Sequence, residues 1–337
     1  MFVPEFWGTS TSPPRRYTRD SPHWLSEVYR DTALTVQLQE HPDYPGLSIP
    51  TSSTSEPSLM ASMLEALELV DGHRVLELGT GTGFNAALLC ARLGDSRVCS
   101  VDLDSGLVRT ARERLASLGL HPRLAVGDSR NGYPPGAPYD RVIATHAVER
   151  VPYSWVEQTN PGGVILVDVR SASSAGIGHI ARLEVRGDGT AVGHFRHAHS
   201  GGFMSARTRV DMPDAYFGIP ARDLRDAAQR TSDIHADALV DPGFRFALWA
   251  AAPRLTISAG SALALSTPDG SWATTGSDTS EVSVAGPVDL WALVEETYGR
   301  WAAAGCPGTG DFTITITPDG QTIDMPSGRA SAPVPAH

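Results

Sequence analysis

The sequence is poor in cysteine: Cys90, Cys99 and Cys306 are all it has. Their spacing fits no metal-binding pattern, and an odd number completes no disulfide framework, so they read as small hydrophobes in a reducing compartment. No run of about 20 apolar residues occurs, which excludes a membrane-spanning helix of ordinary length. The opening Met1-Phe2-Val3-Pro4-Glu5 lacks both a basic region and an apolar stretch, so no secretory signal is expected and the cytoplasm is the expected compartment. Charged residues make up 19%, short of the usual quarter. The net charge is −11, with no long block of one sign. Such a surface binds phosphate backbones weakly, which argues against a nucleic-acid partner. No internal repeat is present.

What is there suffices for one large domain or two ordinary ones: 337 residues, 41% of them hydrophobic. Residues 8–22 read as a loop, 24–38 as a helix with Trp24, Leu25, Val28, Leu34 and Leu38 on one face, and 41–55 as a Pro- and Ser-rich loop. From Pro57 the pattern is regular. A helix through Leu59–Leu67, with Ser55 as a candidate cap, precedes the strand Arg74–Leu78. A glycine turn, a helix over 85–93 and the strand Val98–Asp102 follow. Asp104 or Ser105 caps a helix whose inner face is Leu107, Val108, Ala111, Leu115 and Leu118. Further strands are Arg123–Val126, Arg141–Thr145 and Val164–Val169. Alternating strands and helices predict a mainly parallel sheet, a Rossmann-like α/β domain. After about residue 171 strands dominate (180–185, 191–195, 254–258, 312–317), with turns at Pro268-Asp269-Gly270 and Pro318-Asp319-Gly320 and helices expected near 221–240 and 287–303. The expected division is an N-terminal segment 1–55, the Rossmann-like core 56–171, an additional C-terminal α+β domain 172–325 and a disordered tail 326–337.

Glu77-Leu78-Gly79-Thr80-Gly81-Thr82-Gly83 closes the first strand of the βαβ unit. Its glycines let the backbone turn sharply and approach a ligand. A dinucleotide fingerprint needs a third glycine one position later, where Phe84 stands, so the spacing suits a ligand without pyrophosphate. Asp102 ends the next strand, where an acid accepts hydrogen bonds from ribose hydroxyls of NAD or of S-adenosylmethionine alike. Gly127-Asp128-Ser129 ends the third strand, a place suited to adenine contacts.

Those residues support a resemblance. Phe2-Val3-Pro4, Thr54-Ser55-Glu56-Pro57-Ser58-Leu59-Met60, the run from Val75 to Ala87, Gly127-Asp128, Ala137-Pro138-Tyr139-Asp140 and Gln158-Thr159-Asn160-Pro161-Gly162-Gly163 fall in the order of the protein-L-isoaspartate O-methyltransferase family. The resemblance runs from the start to about residue 170. It implies S-adenosylmethionine as cofactor, held by Glu77, Gly79, Thr80, Gly81, Asp102, Leu103, Gly127, Asp128 and Ser129. It departs from the family at Ser129, at His146–Trp155, where small residues are expected, and at Val164–Arg170, where a proline-containing strand is expected. The family's chains normally end where this one has nearly half its length left. Together these features resemble a specialised branch of actinobacterial peptide-maturation pathways that methylates an ordinary aspartate in a ribosomally made, modified, often macrocyclic precursor peptide, giving aspartimide or isoaspartate. That likeness implies peptide recognition by the residues after about 175, which are then not needed to bind cofactor. Repair of isoaspartyl proteins is the alternative, and a catalytically weak peptide-recruiting module is a third reading.

A carboxylate with a pKa near ~4 is already ionised at neutral pH, so its methylation needs positioning and desolvation more than a base. Ser53 and Ser55 are candidates to hold the acceptor, or else merely satisfy the loop and cap the helix. His146 is a candidate lining of the acceptor pocket. Arg141, Arg150 and Arg170 could neutralise an acidic peptide, though single arginines are commonly solvated surface. Trp249, Trp272, Trp291 and Trp301 are candidates for a peptide-binding face, with core packing favoured for the last two. His194, His197 and His199 read as exposed strand or loop residues, and no metal is expected.

Overall fold

The computed structural model describes residues 2–8, 13–41, 44–171, 178–200, 202–207, 227–259, 263–276, 279–326 and 328–329. The chain opens with an antiparallel sheet of order β2-β1-β3-β4, made of β1 (Glu5–Gly8), β2 (Arg15–Thr18), β3 (Leu34–His41) and β4 (Tyr44–Thr54). Val3, Phe6, Trp24 and Leu34 form its small core. The helix expected over 24–38 shrinks to α1 (Trp24–Val28). Leu25 on its supposed apolar face is 55% exposed. The β-branched Thr35 and Val36 favour extended backbone, and β3 pairs with β4 instead. The loop expected at 41–55 is therefore mostly strand. Register shifts near Leu38, whose partner is Pro50, let the proline sit in the sheet.

The next stretch follows the predicted alternation: α2 (Pro57–Ala66), β5 (Val75–Leu78), α3 (Phe84–Leu93), β6 (Val98–Asp102), α4 (Ser105–Ala116), β7 (Arg123–Val126), β8 (Tyr139–Val148), α5 (Tyr153–Glu157) and β9 (Thr159–Arg170). The strands are parallel in the order β9-β8-β5-β6-β7, so the winding reverses at β5. Val75, Leu76, Leu78, Ile165, Leu166 and Val167 are wholly buried, as near-continuous apolar strands must be when helices cover both sheet faces. Asp104 caps α4, its Oδ1 accepting from the amides of Gly106 (2.7 Å) and Leu107 (3.1 Å). Ser55 does not cap α2. The cap position is Glu56, and its side chain makes no capping bond.

Beyond residue 171 the expected α+β content is present, but the sheet does not stop there. β10 (Gly178–Val185) adds antiparallel to β9, followed by β11 (Ala191–Ser200). After β12 (Ala228–Thr231), α6 (Pro242–Ala251), β13 (Thr256–Ala259), β14 (Leu263–Ser266), β15 (Trp272–Thr275), β16 (Glu281–Ala285) and α7 (Leu290–Ala303), the chain returns. β17 (Thr313–Thr317), β18 (Gly320–Met325) and β19 (Gly328–Arg329) extend the same sheet to ten strands. β12-β16-β15-β14-β13 form a separate antiparallel sheet. α6 packs on the extension, with Phe246 edge-on to Phe195 (4.7 Å) and Phe312 (4.9 Å). One buried cluster joins Leu76 and Val167 of the parallel part to Leu183, Phe246 and Trp291 of the later part. The helix expected over 221–240 is replaced, in its described portion, by β12 and a 3-10 turn at Ala236–Val240. Residues 221–226 and 330–337, including most of the expected tail, lie outside the described residues. Trp249, Trp272, Trp291 and Trp301 are all buried, so none forms a peptide-binding face. No described helix is long and apolar enough to cross a membrane.

Candidate active site

A cavity of about 580 Å³ opens at the carboxyl ends of β5, β6 and β8. That is the switch point of the winding, where open α/β sheets leave a crevice between diverging crossovers. Gly79, Thr80, Gly81, Thr82, Phe84 and Asn85 line one side. Gly79 has φ +102°, and a Cβ there would collide with Thr145 Oγ1. That hydroxyl donates to the Gly79 carbonyl at 2.7 Å, so the tight loop is pinned to β8.

Beneath the loop lies a buried polar relay. Asn85 Nδ2 donates to Glu77 Oε1 at 2.8 Å and Ser100 Oγ donates to Oε2 at 2.5 Å, with Thr80 Oγ1 2.7 Å from Ser100 Oγ. Burial pushes the Glu77 carboxyl up to about 7, against the pull of the Ser100 and Asn85 hydrogen bonds. Asp102 Oδ2 accepts from the Gly81 amide (2.9 Å) and Oδ1 from the Asp104 amide (3.0 Å). Burial raises its pKa while those two amides lower it. Each oxygen keeps a lone pair for a ligand hydroxyl.

The opposite wall comes from three places. β4 crosses over the loop, bringing Thr51, Ser52, Ser53, Thr54 and then Ser55 to the cavity. The end of β8 brings His146 and Glu149, and the end of β9 brings Arg170. The β8–β9 register slips between Ile143 and Ala147, which re-aims the chain at His146. Both His146 ring nitrogens are buried without a partner, and burial lowers its pKa to about 4. The third piece is Gly202–Arg207, from the chain beyond residue 171. It lies along β8 through Ala147 N to Met204 O (2.9 Å) and Ala206 N to Ala147 O (2.7 Å).

Of the residues singled out in the sequence, Ser53, Ser55, Glu77, Gly79, Thr80, Gly81, Asp102, Leu103, Ser129 and His146 share this cavity. Gly127 and Asp128 stand outside its lining. The Asp128 carboxylate is engaged by Arg130, which holds it below the usual carboxylate range. Arg170 is a cavity residue rather than solvated surface, whereas Arg141 Nε donates to the Leu67 carbonyl (2.5 Å) away from the site. His194 Nδ1 lies 3.2 Å from the Phe312 carbonyl, and the side chains of His197 and His199 lie outside the described residues. Asn85, Thr145, Glu149 and the 202–207 segment were not singled out as site residues in the sequence. Glu149 had a signal, because it lies in the stretch that departs from small residues. The 202–207 segment carries no motif. Among these later residues, Arg207 lines the cavity together with Asp102.

Residues 15–194 match the family described as protein-L-isoaspartate(D-aspartate) O-methyltransferase. The protein-L-isoaspartate O-methyltransferase of Ignicoccus hospitalis is 39% identical over 150 residues, covering 43% of this chain and 71% of that one. The enzyme of the same name from Thermococcus sibiricus is 43% identical over 151 residues, covering 44% and 64%. A solved protein-L-isoaspartate O-methyltransferase matches 91% of this chain and 90% of its own with a TM-score of 0.53 and 21% identity, a likeness of fold.

Proposed function

The chain belongs to the protein-L-isoaspartate(D-aspartate) O-methyltransferase family, and on that footing we propose that it esterifies the side-chain carboxylate of an ordinary aspartate in a ribosomally made, modified, macrocyclic peptide. Its family is one of S-adenosylmethionine-dependent carboxyl O-methyltransferases. The residues present fit that cofactor: the Asn85 Oδ1 atom is buried without a partner in the cavity wall, and Glu77 and Asp102 add acceptors for a cationic, hydroxyl-bearing ligand. When bound, S-adenosylmethionine supplies a methyl group activated by its sulfonium. Asp102 would hold the ribose, the 79–83 loop would admit the amino-acid portion, and Ser129 would border the adenine. Asp128, ion-paired with Arg130 outside the cavity, would act through the turn that carries Ser129. The acceptor carboxylate arrives ionised, so Ser53, Ser55 and His146 serve to orient it and exclude water rather than to remove a proton. The ester then loses methanol as the following backbone nitrogen closes an aspartimide, which hydrolysis opens to isoaspartate. We place this work in the cytoplasm.

The observation that supports an unusual acceptor is the ionisable wall of His146, Glu149 and Arg170 in the cavity, in stretches where the resemblance to the family leads one to expect small residues and a proline-containing strand. Repair of isoaspartyl proteins is the second reading, favoured by the names of the relatives and by the solved structure that spans nearly the whole chain. The test offers three acceptors, a generic isoaspartyl peptide and the linear and cyclised forms of a precursor peptide encoded beside this gene, with mass spectrometry following gain of methyl and loss of methanol. Methylation of a precursor with loss of methanol supports the first reading. Methylation of the generic isoaspartyl peptide alone returns the protein to repair, and no turnover on any leaves a recruiting module.

A further inference from the structure

The 202–207 segment is held over the cavity by an unusual pair of contacts. The Phe203 amide donates to Asp168 Oδ2 at 3.2 Å, and Arg170 Nη1 donates to the Phe203 carbonyl at 2.6 Å. Both backbone groups of one residue are therefore held by side chains two apart on the same face of β9. Asp168 is wholly buried and Phe203 is 7% exposed. Across the sheet, Gly178 pairs with Arg170. A Cβ at Gly178 would lie 2.9 Å from Asp168 Oδ1 and 2.8 Å from Arg170 Cβ, so glycine leaves the room that the two side chains occupy. The arrangement has a cost, because Asp168 Oδ1 and Arg170 Nε are buried without partners. A strand end built only for stability would be better served by apolar residues, which the rest of β9 has in Val164, Ile165, Leu166, Val167 and Val169.

We infer that Asp168 and Arg170 are positioning residues, a two-point clamp on Phe203 that fixes Gly202–Arg207 as the acceptor-side wall and so sets the affinity for the peptide rather than for the cofactor. The inference rests on reading the cavity as the methyl-transfer site. Its logic is spatial. Phe203, Met204, Ser205, Ala206 and Arg207 all line the cavity, yet among the described residues the backbone bonds that tie them to β8 run only through Ala147. One tethering residue leaves a segment free to rotate about it. The clamp on β9 supplies the second anchor, at the end nearer Arg170. Remote contacts that order a wall before the peptide arrives lower the ordering cost of binding.

The variants Arg170→Gln, Arg170→Lys and Asp168→Ala test this in the full chain. Amide hydrogen exchange over residues 202–207 should quicken at least tenfold in R170Q and D168A, with β5 and β6 unchanged. The KM for the peptide acceptor that the wild type methylates should rise about tenfold or more. The Kd for S-adenosylhomocysteine should stay within twofold, and kcat at saturation should change less than KM. R170K, which keeps one donor for the carbonyl, should recover part of both effects. Where D168A fails to fold, R170Q and R170K decide. Unchanged exchange at 202–207 in an active enzyme overturns the clamp, and faster exchange with unchanged KM overturns the wall's role. A wild type that binds S-adenosylhomocysteine but methylates no aspartyl or isoaspartyl peptide overturns the functional reading instead, and the wall's role with it, while exchange still decides whether the clamp exists.

Discussion

Replacing Glu77 by Gln should make the ligand-free protein more stable at neutral pH and leave it little changed in acid. Glu77 is fully buried and its carboxyl is raised from an ordinary 4.5 to about 7. The folded state therefore holds the proton more tightly than the unfolded chain. The stabilising contribution of the protonated form is complete below about 4.5 and is lost as pH rises through about 7. At about 1.4 kcal/mol per pH unit, the ionised carboxylate costs the folded state at most roughly 3 to 4 kcal/mol well above pH 7. Gln can keep the polar relay. Its oxygen accepts from Asn85, its amide donates to Ser100 Oγ, and the Ser100 hydroxyl turns to Thr80 Oγ1, already 2.7 Å away. Urea unfolding of both proteins at pH 5, 6, 7 and 8 should show the advantage of E77Q growing from under about 1 kcal/mol at pH 5 to as much as about 3 kcal/mol at pH 8. Parallel stability curves would refute the buried, proton-holding carboxyl.

The same residue should matter in the opposite sense for binding. A cationic ligand favours the ionised form, so wild-type protein should release a proton on binding S-adenosylhomocysteine, whose α-ammonium is positive, between pH 5 and 7. Calorimetry in two buffers of different ionisation heat would detect it, and E77Q should release none. Asp102→Ala should weaken S-adenosylhomocysteine by about 1–3 kcal/mol, since ribose hydroxyls lose their acceptor; unchanged affinity by calorimetry would remove Asp102 from the site. Gly79→Ala should cost about 1–3 kcal/mol of stability and most cofactor affinity, because φ +102° strains an L-residue and its Cβ meets Thr145; a wild-type melting temperature would contradict that. A chain ended after Ser171 should be insoluble rather than a working cofactor domain, since removing β10 bares the edge of β9 and the apolar face shared with Phe246 and Trp291; a soluble, folded product would show the parallel part to be independent.

The legible parts of the fold were those whose information is local. β5, β6 and β9 are short apolar runs, the loop at 79–83 has glycines where positive φ is needed, and Asp104 stands where a cap belongs. The N-terminal sheet was misread because Trp24, Val28, Leu34 and Leu38 fall at near-helical spacing by coincidence. β4 was obscured by its prolines and serines, which its bulged pairing with β3 tolerates. After residue 171 the strands could be seen one by one, but not their partners. Nothing in the sequence of β10 says that it lies antiparallel against a parallel sheet, because that pairing is decided by which edge is left open. The cavity shows the same division. Its loop side is one contiguous motif, while its far wall joins Ser53, His146, Arg170 and Ser205, which are far apart in the chain.

That division has a functional consequence. The side expected to hold the cofactor is built on strands buried on both faces and on a relay whose members are almost wholly inaccessible, so changes of volume there are felt as lost stability. The side proposed to hold the acceptor is made of strand ends and of a segment fastened through its backbone, to Ala147 and to the side chains of Asp168 and Arg170. On the proposed reading, the rigid wall would hold the methyl donor, and the choice of carboxylate would follow from what the other wall, with His146, Glu149 and Arg170, holds in place.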